Sequence, residues 1–382
     1  MAAHMPANDE KPIQVNRDLV TAAYRLLLER EPENEQVILH ALARSRDVED
    51  LRNGFLGSEE FAEKLKGFLA RHPVANHAIS QFHIYTGYKP EELSLIREYF
   101  CLSPVAVDGF IVDKLGVKTR GSSLWNTVQH LVGTVIPLPI PEDYHAGAIE
   151  WIGLLKSVRS ARGRFVAMEL GAGWGPWVVA GAMAARHAGI SEISLLAVEG
   201  DPGHFGFLRQ HFIDNGLDPD QHQLFQAAVG IKRGRALWPR IDSRNDWGSR
   251  PIPANQKDGK EHGGVSSDPG REAAGVMDIE VLSISDLLTK QARWDLVHMD
   301  VQGDEAAICE AGLALLTKRV HWIVVGTHSR IIEGKLISMF LRDGWQLENE
   351  KPARVVFRPN APTQEALTDH DGAQVWRNPR LD

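Results

Sequence analysis

Several stretches of this 382-residue chain carry side chains, or a lack of them, that could do chemistry together. In MELGAGWGPW (168–177), Gly171, Gly173 and Gly175 alternate with Ala172 and Trp174 directly after Glu169. A turn so bare of side chains lets backbone approach a ligand closely. LLAVEGD ends a second apolar run on Glu199 and Gly200, and FQAAVG ends a third on Gln226, Ala227 and Ala228. WDLVHMDVQGDE carries His298, Asp300, Asp304 and Glu305. His328 follows in VVGTHSR, and His145 precedes them all in EDYHAGAIEW, with Tyr144 and Glu150 beside it. Carboxylates and imidazoles in such places suit removal of a proton from a nucleophile beside a bound cofactor. His328 is the best imidazole base, because its ordinary pKa lies near neutrality. Asp300 is a base, an orienter of the acceptor or a ligand of the cofactor, and His145 is a third candidate. His298, inside a strand, reads as a core or cofactor-side histidine.

The glycine run narrows the cofactor. A phosphate loop needs a Lys and a Ser or Thr that GAGWGPWV lacks, and a dinucleotide turn needs a third glycine where Pro176 stands. Pro176 instead suits the first position of a helix, where no N–H is needed. What remains is ExGxGxG over Glu169, Gly171, Gly173 and Gly175, followed by an acid at the end of the next strand. Such an acid accepts hydrogen bonds from both hydroxyls of a ribose.

Elements must hold these residues at one edge. From residue 165 short apolar runs alternate with helical patterns: RFVAMEL, ISLLAVEG, HQLFQAAVG, WDLVHMDVQG and HWIVVGTHS read as strands, each followed by a helix or turn. Repeated βα units of this kind predict a doubly wound, mostly parallel α/β sheet, and WQLENE, ARVVFRP and AQVWRNP predict an antiparallel C-terminal end. Residues 144–159 read as a helix with Trp151, Leu154 and Leu155 on its apolar face, opened by His145. VDGFIVDKLGVKTR predicts one or two strands and SSLWNTVQHLV a short helix. Residues 16–71 repeat a helical pattern, with Leu19, Ala23, Leu26 and Leu27 on one face and Ser58 as a helix cap. The expected organisation is a disordered tail at 1–15, a helical domain at 16–71, a mixed connecting and substrate-covering region at 72–160, and the α/β domain at 161–382 with a flexible insertion at 249–275.

Composition excludes several classes. The chain is 43% hydrophobic and 24% charged with a net charge of −8. That composition fits a globular protein, and the negative charge argues against a nucleic-acid partner. Its two cysteines, Cys101 and Cys309, are far apart and read as reduced, buried thiols. The polar N-terminus carries no secretory signal, and no apolar run is long enough to span a membrane. A cytoplasmic location is expected.

The ExGxGxG spacing resembles the first motif of class I S-adenosylmethionine methyltransferases. Over roughly 160–380 the chain resembles the FkbM family of that class, whose fourth strand ends in D-x-x-G-x-E; here those positions are Asp300, Gly303 and Glu305. The resemblance implies a Rossmann-like class I sheet and S-adenosyl-L-methionine as cofactor, held by Glu169, Gly171, Ala172, Gly173, Trp174, Gly175, Glu199, Gly200, Gln226, Ala227 and Asp300. It implies methyl transfer to oxygen, often of a sugar or polyketide. Asp304 and the long insertion depart from the family pattern, and 72–160 lies outside its common core. YRLLLEREPENEQ with LRNGFLGSEEF resembles a small helical domain of bacterial proteins tied to surface glycans, which tilts the expected acceptor toward a small-molecule or glycan hydroxyl. That domain is expected to serve docking or homo-oligomerisation. Methylation at nitrogen or carbon of a peptide or polyketide intermediate, and a non-catalytic cofactor-binding scaffold, are the alternatives. Trp247 is placed to stack on a sugar ring. No metal is expected: Asp304 and Glu305, adjacent at a helix start, point apart and suit the helix dipole.

Overall fold

A computed structural model describes residues 14–58, 60–65, 86–252, 275–361, 363 and 365–382. Most of the expected tail and insertion, residues 1–13 and 253–274, lies outside them. The chain forms two compact units, Met1–Tyr85 and Thr86–Asp382.

The first unit holds helices α1 (Arg17–Leu28), α2 (Glu35–Arg44) and α3 (Val48–Leu56). Side-chain oxygens of Asn16, Asn34 and Asp47 cap them, taking up backbone donors that a helix start leaves free. Val20, Leu28, Ile38, Leu51 and Phe55 form its core. Leu26, expected on the buried face, is exposed, because the packed stripe runs through Val20 and Leu28 instead. Ser58 does cap, its hydroxyl accepting from Phe61 N at 3.1 Å.

The second unit opens with helix α4 (Leu93–Tyr99) and a three-stranded sheet of β1 (Phe110–Val112), β2 (Lys118–Arg120) and β3 (Thr134–Val135). Helix α5 (Ala148–Ser160) leads into β4 (Arg164–Leu170), α6 (Pro176–His187), β5 (Glu192–Glu199), α7 (Pro202–Asp214) and β6 (Gln223–Gln226). A side sheet follows: β7 (Ala228–Gly230), β8 (Gly234–Pro239) and β9 (Val276–Ser283). Then come α8 (Ile284–Leu288), β10 (Trp294–Met299), α9 (Glu305–Arg319), β11 (Val320–Thr327), α10 (Arg330–Arg342) and β12 (Gln346–Lys351). Strands β13 (Arg354–Val355) and β14 (Thr368–His370) pair with each other, and β15 (Gly372–Arg377) ends the chain's strands.

The main sheet runs β12-β15-β11-β10-β4-β5-β6. All pairs from β11 to β6 are parallel, and β15 runs antiparallel to both β11 and β12. Strand side chains alternate between two cores, as a sheet covered on both faces requires. Phe165, Ala167, Leu296 and Val324 pack with α5 and α6, whereas Val166, Met168, Leu170, Val297 and Met299 pack with α8, α9 and α10. Helix α5 lies close on the sheet; a Cβ at Gly153 would meet Val324 at 2.8 Å. Among the described residues no helix is long and apolar enough to cross a membrane.

Four expectations change. The third strand is two: the chain leaves the main sheet after Gln226 and re-enters pairing in the side sheet at Ala228. ARVVFRP contributes only Arg354–Val355, off the main sheet. Cys101 is exposed, while Cys309 is buried. The helix expected from 144 starts at Ala148, because Asp143 first closes its own turn. An Asp side chain commonly bonds backbone two residues on, and here Oδ1 accepts from His145 N and Ala146 N, each at 2.9 Å. Oδ2 of the same carboxylate accepts from Trp151 Nε1 at 2.9 Å. One side chain thus fixes both the entry to α5 and its first buried tryptophan. Asp143→Ala should cost about 2 kcal/mol or more by stranding these three donors, read as a lower urea midpoint with an unchanged m-value.

Candidate functional site at the C-terminal strand edge

The glycine turn is held by backbone. Gly171 N and Ala172 N both donate to Val198 O, at 3.0 and 2.9 Å, and Asp300 N donates to Leu170 O at 2.9 Å. The ends of β5, β4 and β10 are thereby stitched together. A Cβ on Gly171 would collide with the carbonyl oxygen of Asp300, and the residue's φ is +74°. Only glycine fits such a position. Above this turn lies a cavity of about 630 Å³, in the size range of small-molecule sites. It sits outside the carboxyl ends of parallel strands, where doubly wound sheets bind ligands.

Of the residues expected to hold a cofactor, Glu169, Gly171, Ala172, Gly173, Trp174, Glu199, Gly200, Ala227 and Asp300 all line this cavity. Gly175 stands at the base of the turn as the left-handed N-cap of α6. Gln226 does not line it: the residue is exposed, and Ala227, Ala228 and Val229 form that wall. The chain changes sheets there, so strand alternation carries the Gln226 side chain away.

Two of the acids have backbone duties. Glu169 is buried and accepts from Trp177 N at 3.4 Å and Val178 N at 2.8 Å, closing the first turn of α6. Burial holds its carboxyl well above the usual range despite those bonds. Its oxygens serve the helix start while the residue also lines the cavity. Glu199 accepts from Gly173 N and Asp201 N, each at 2.7 Å, and still faces the cavity.

Trp174 is part of an aromatic wall. Its ring lies 5.1 Å from Trp247 and 5.8 Å from Trp125, which are themselves 5.7 Å apart. Trp247 stacks on His204 at 3.9 Å. His145 does line the cavity, but it sits edge-on to Trp174 and Trp177 in the Asp143 turn, ahead of α5. Sequence reasoning missed Trp125, which lies far before Trp174 in a segment with no motif. It read His298 as a core or cofactor-side histidine and named Glu150 only alongside His145. Both line the cavity, with His298 Nε2 3.8 Å from Glu150 Oε1.

His328 is not a free base. Its ring is wedged between two carboxylates, Nε2 at 3.3 Å from Asp300 Oδ1 and Nδ1 at 2.9 Å from Glu305 Oε1. Burial works against its charge, but Asp300 and Glu305 outweigh that and push its pKa up to about 10. A ring so placed favours its charged form, which has no lone pair to accept a proton, and His328 stands behind Asp300 rather than among the residues that line the cavity. Glu305, fully buried, also accepts from Val301 N at 3.1 Å and Gly303 N at 2.9 Å. The desolvation of its carboxyl is overcome by these contacts and by His328, which hold its pKa below the usual value. Glu305 thus closes the D-x-x-G-x-E turn. Asp300 faces the cavity; withdrawal from solvent raises its pKa against the pull of His328. Ligand atoms of Asp300, Glu305 and His328 lie within 4.8 Å of one another, as a metal site would require.

A raised histidine contributes stability that is complete below its unfolded pKa and lost as pH climbs through the folded one. For His328 that window runs from about 6.5 to about 10. The stability advantage of wild type over His328→Gln, from urea midpoints, should be largest near pH 6–7 and shrink steadily toward pH 10. A difference independent of pH would show that the ring is not charged in the fold.

No protein-family model matches the chain. A protein of Jannaschia sp. (strain CCS1) described as "Putative methyltransferase" is 30% identical over 288 residues, 75% of this chain and 98% of that one. Among solved structures, a precorrin-6y C5,15-methyltransferase from Geobacter metallireducens GS-15 is 12% identical with a TM-score of 0.33, covering 61% of this chain and 88% of that one. An O-methyltransferase from Bacillus cereus in complex with SAH is 11% identical with a TM-score of 0.32, covering 60% of this chain and 79% of that one. The parallel sheet with its one reversed strand, the glycine turn, and a relative matched over nearly its whole length agree, and the chain belongs to the methyltransferases of the class I fold.

Proposed function

We propose that this chain is an S-adenosyl-L-methionine-dependent O-methyltransferase of FkbM type, acting on a hydroxyl of a saccharide or glycosylated metabolite. One observation carries the reading: a single cavity joins the glycine turn and Glu199 to the wall of Trp125, Trp174 and Trp247, with Asn126, Thr127, Ser249 and Gln302 at its polar margin. Indole faces take the apolar faces of a sugar ring, and amides and hydroxyls take its hydroxyl groups.

The residues present fit the cofactor. Gly173 keeps the turn open beside Trp247, whose ring would lie 3.1 Å from an added Cβ. Glu199, at the end of β5, retains lone pairs for a ribose diol. Ala227, Ala228 and Val229 offer an apolar face for adenine. The turn from Gly171 to Gly175 would take the amino-acid end. When bound, the cofactor supplies an electrophilic methyl group. The chain's part is to align an acceptor oxygen and to take up its proton. FkbM type is supported by the turn of Asp300, Gly303 and Glu305, closed by Glu305. A cytoplasmic setting and docking through residues 16–71 belong to the same proposal.

Titration calorimetry with S-adenosyl-L-methionine should give saturable heat, and Glu199→Ala should weaken binding by roughly 100-fold, the loss expected when a charged acceptor disappears. No heat with wild type would sink the cofactor reading. Methyl-labelled donor offered with a panel of methyl glycosides and nucleotide sugars should label a hydroxyl, located by fragmentation. Label found only on peptide nitrogen would overturn the acceptor class.

A further inference from the structure

We propose that Glu150 is the catalytic residue that takes the acceptor's proton, with His298 as the positioning residue that steadies its carboxylate. The assignment rests on the methyltransferase reading and adds to it the group that does the proton chemistry.

The geometry singles this pair out. Of the cavity's other carboxylates, Glu169 is held by two helix N–H groups and Glu199 by the turn, while Oδ1 of Asp300 is taken by His328 and by the amide of Gln302 at 2.8 Å. Glu150 stands on the first turn of α5, and its Oε2 accepts from Gly147 N at 3.1 Å. Oε1 makes no hydrogen bond among the described residues and lies 3.8 Å from His298 Nε2. His298 reaches the same cavity from β10, where it is in register with Glu169 of β4. It stacks on Trp177 at 4.8 Å, and neither ring nitrogen has a hydrogen-bond partner although the residue is only 3% exposed. Buried imidazole nitrogens without a partner call for an explanation, and a role in the site is one.

The charges around the pair agree. Burial pushes Glu150 up to about 7, opposed by Gly147 N–H, His145 and Lys351 and reinforced by Asp143. A carboxylate poised near neutrality is suited to general-base work. Burial holds His298 down to about 3, with Asp300 pulling up and His145 pushing down, so its ring is neutral. A neutral imidazole carries one N–H, and with that proton on Nε2 it donates toward Glu150 Oε1 when the gap closes around a substrate. In the transfer, the acceptor's O–H bond breaks and its proton ends on Glu150 as a carboxylic acid. The electron pair left on oxygen forms the O–C bond to the donated methyl, and the pair of the broken S–C bond stays on the donor's sulfur.

The test uses the full chain loaded with S-adenosyl-L-methionine, the glycoside panel above, and infrared titration of carboxyl bands. Glu150→Gln keeps an oxygen for Gly147 N, so the helix start survives. It should bind cofactor within about threefold of wild type, lose about 100-fold or more in kcat, and lose both the acid limb of the kcat–pH profile near neutrality and a carboxyl band titrating there. His298→Gln should shift that limb and band in pH without removing them. Unchanged kcat, limb and band in Glu150→Gln, with cofactor bound, would overturn this assignment alone. Wild type that binds no cofactor would overturn the functional reading and this assignment with it.

Discussion

Three neighbouring parallel strands end in turns whose backbone donors point inward, and in each a buried carboxylate receives them. Glu169 closes the start of α6 after β4, Glu199 joins the glycine turn to the start of α7 after β5, and Glu305 closes the turn after β10. Helix starts and tight turns leave donors with no partner of their own, and burying such donors unpaired is costly. Carbonyls of Val198 and Leu170 take up some of these donors, and side-chain oxygens take up the rest. Carboxylates fill the role because each oxygen takes more than one bond and favours the positive end of a helix. The cavity has its shape because these three corners are fixed.

That constraint separates the conspicuous residues from the chemically available ones. Three of the acids that a motif makes visible, Glu169, Glu199 and Glu305, have fixed backbone duties. Glu305 is invisible to a ligand, being fully buried behind the turn it closes, and His328 is the counter-charge that lets Asp300 and Glu305 sit close together. Asp113 repeats the device in the smaller sheet, accepting from Leu115 N and Val117 N at 2.9 Å each. Indole faces, Asp300 and the Glu150–His298 pair line the same cavity, on the face of the sheet that α5 and α6 cover.

The sheet was legible because its strands are buried on both faces, which produces uninterrupted apolar runs such as RFVAM and WDLVHM. The glycine turn was legible because Gly171 tolerates no alternative against Asp300 O. Local signals failed where tertiary contacts decide. Asp143 delays the start of α5 by competing for the donors at 145 and 146, and nothing in the spacing of apolar residues reports that competition. The departure of the chain from the main sheet after Gln226 turned a sound strand assignment into a wrong side-chain direction. Glu150 and His298 are distant in sequence, and their proximity exists only because Gly153 lets α5 lie against β11 and β15. His328 was read by its ordinary pKa, which holds only without neighbours. Two carboxylates on either side of the ring reverse its role.

The aromatic wall shows how the two ends of the cavity are built from different parts of the chain. Trp174 belongs to the glycine turn, but Trp125 comes from the segment before α5 and Trp247 from the loop after β8. Trp247 is pinned from below by its stack on His204 and by Nε1 donating to Arg244 O at 3.2 Å, while Arg244 Nε donates to Leu124 O at 3.2 Å beside Trp125. The two added segments are therefore fastened to each other as well as to the sheet. A change in either one moves both indoles against a fixed Trp174. The glycine turn and Glu199, held by strand ends, are positioned by the sheet instead.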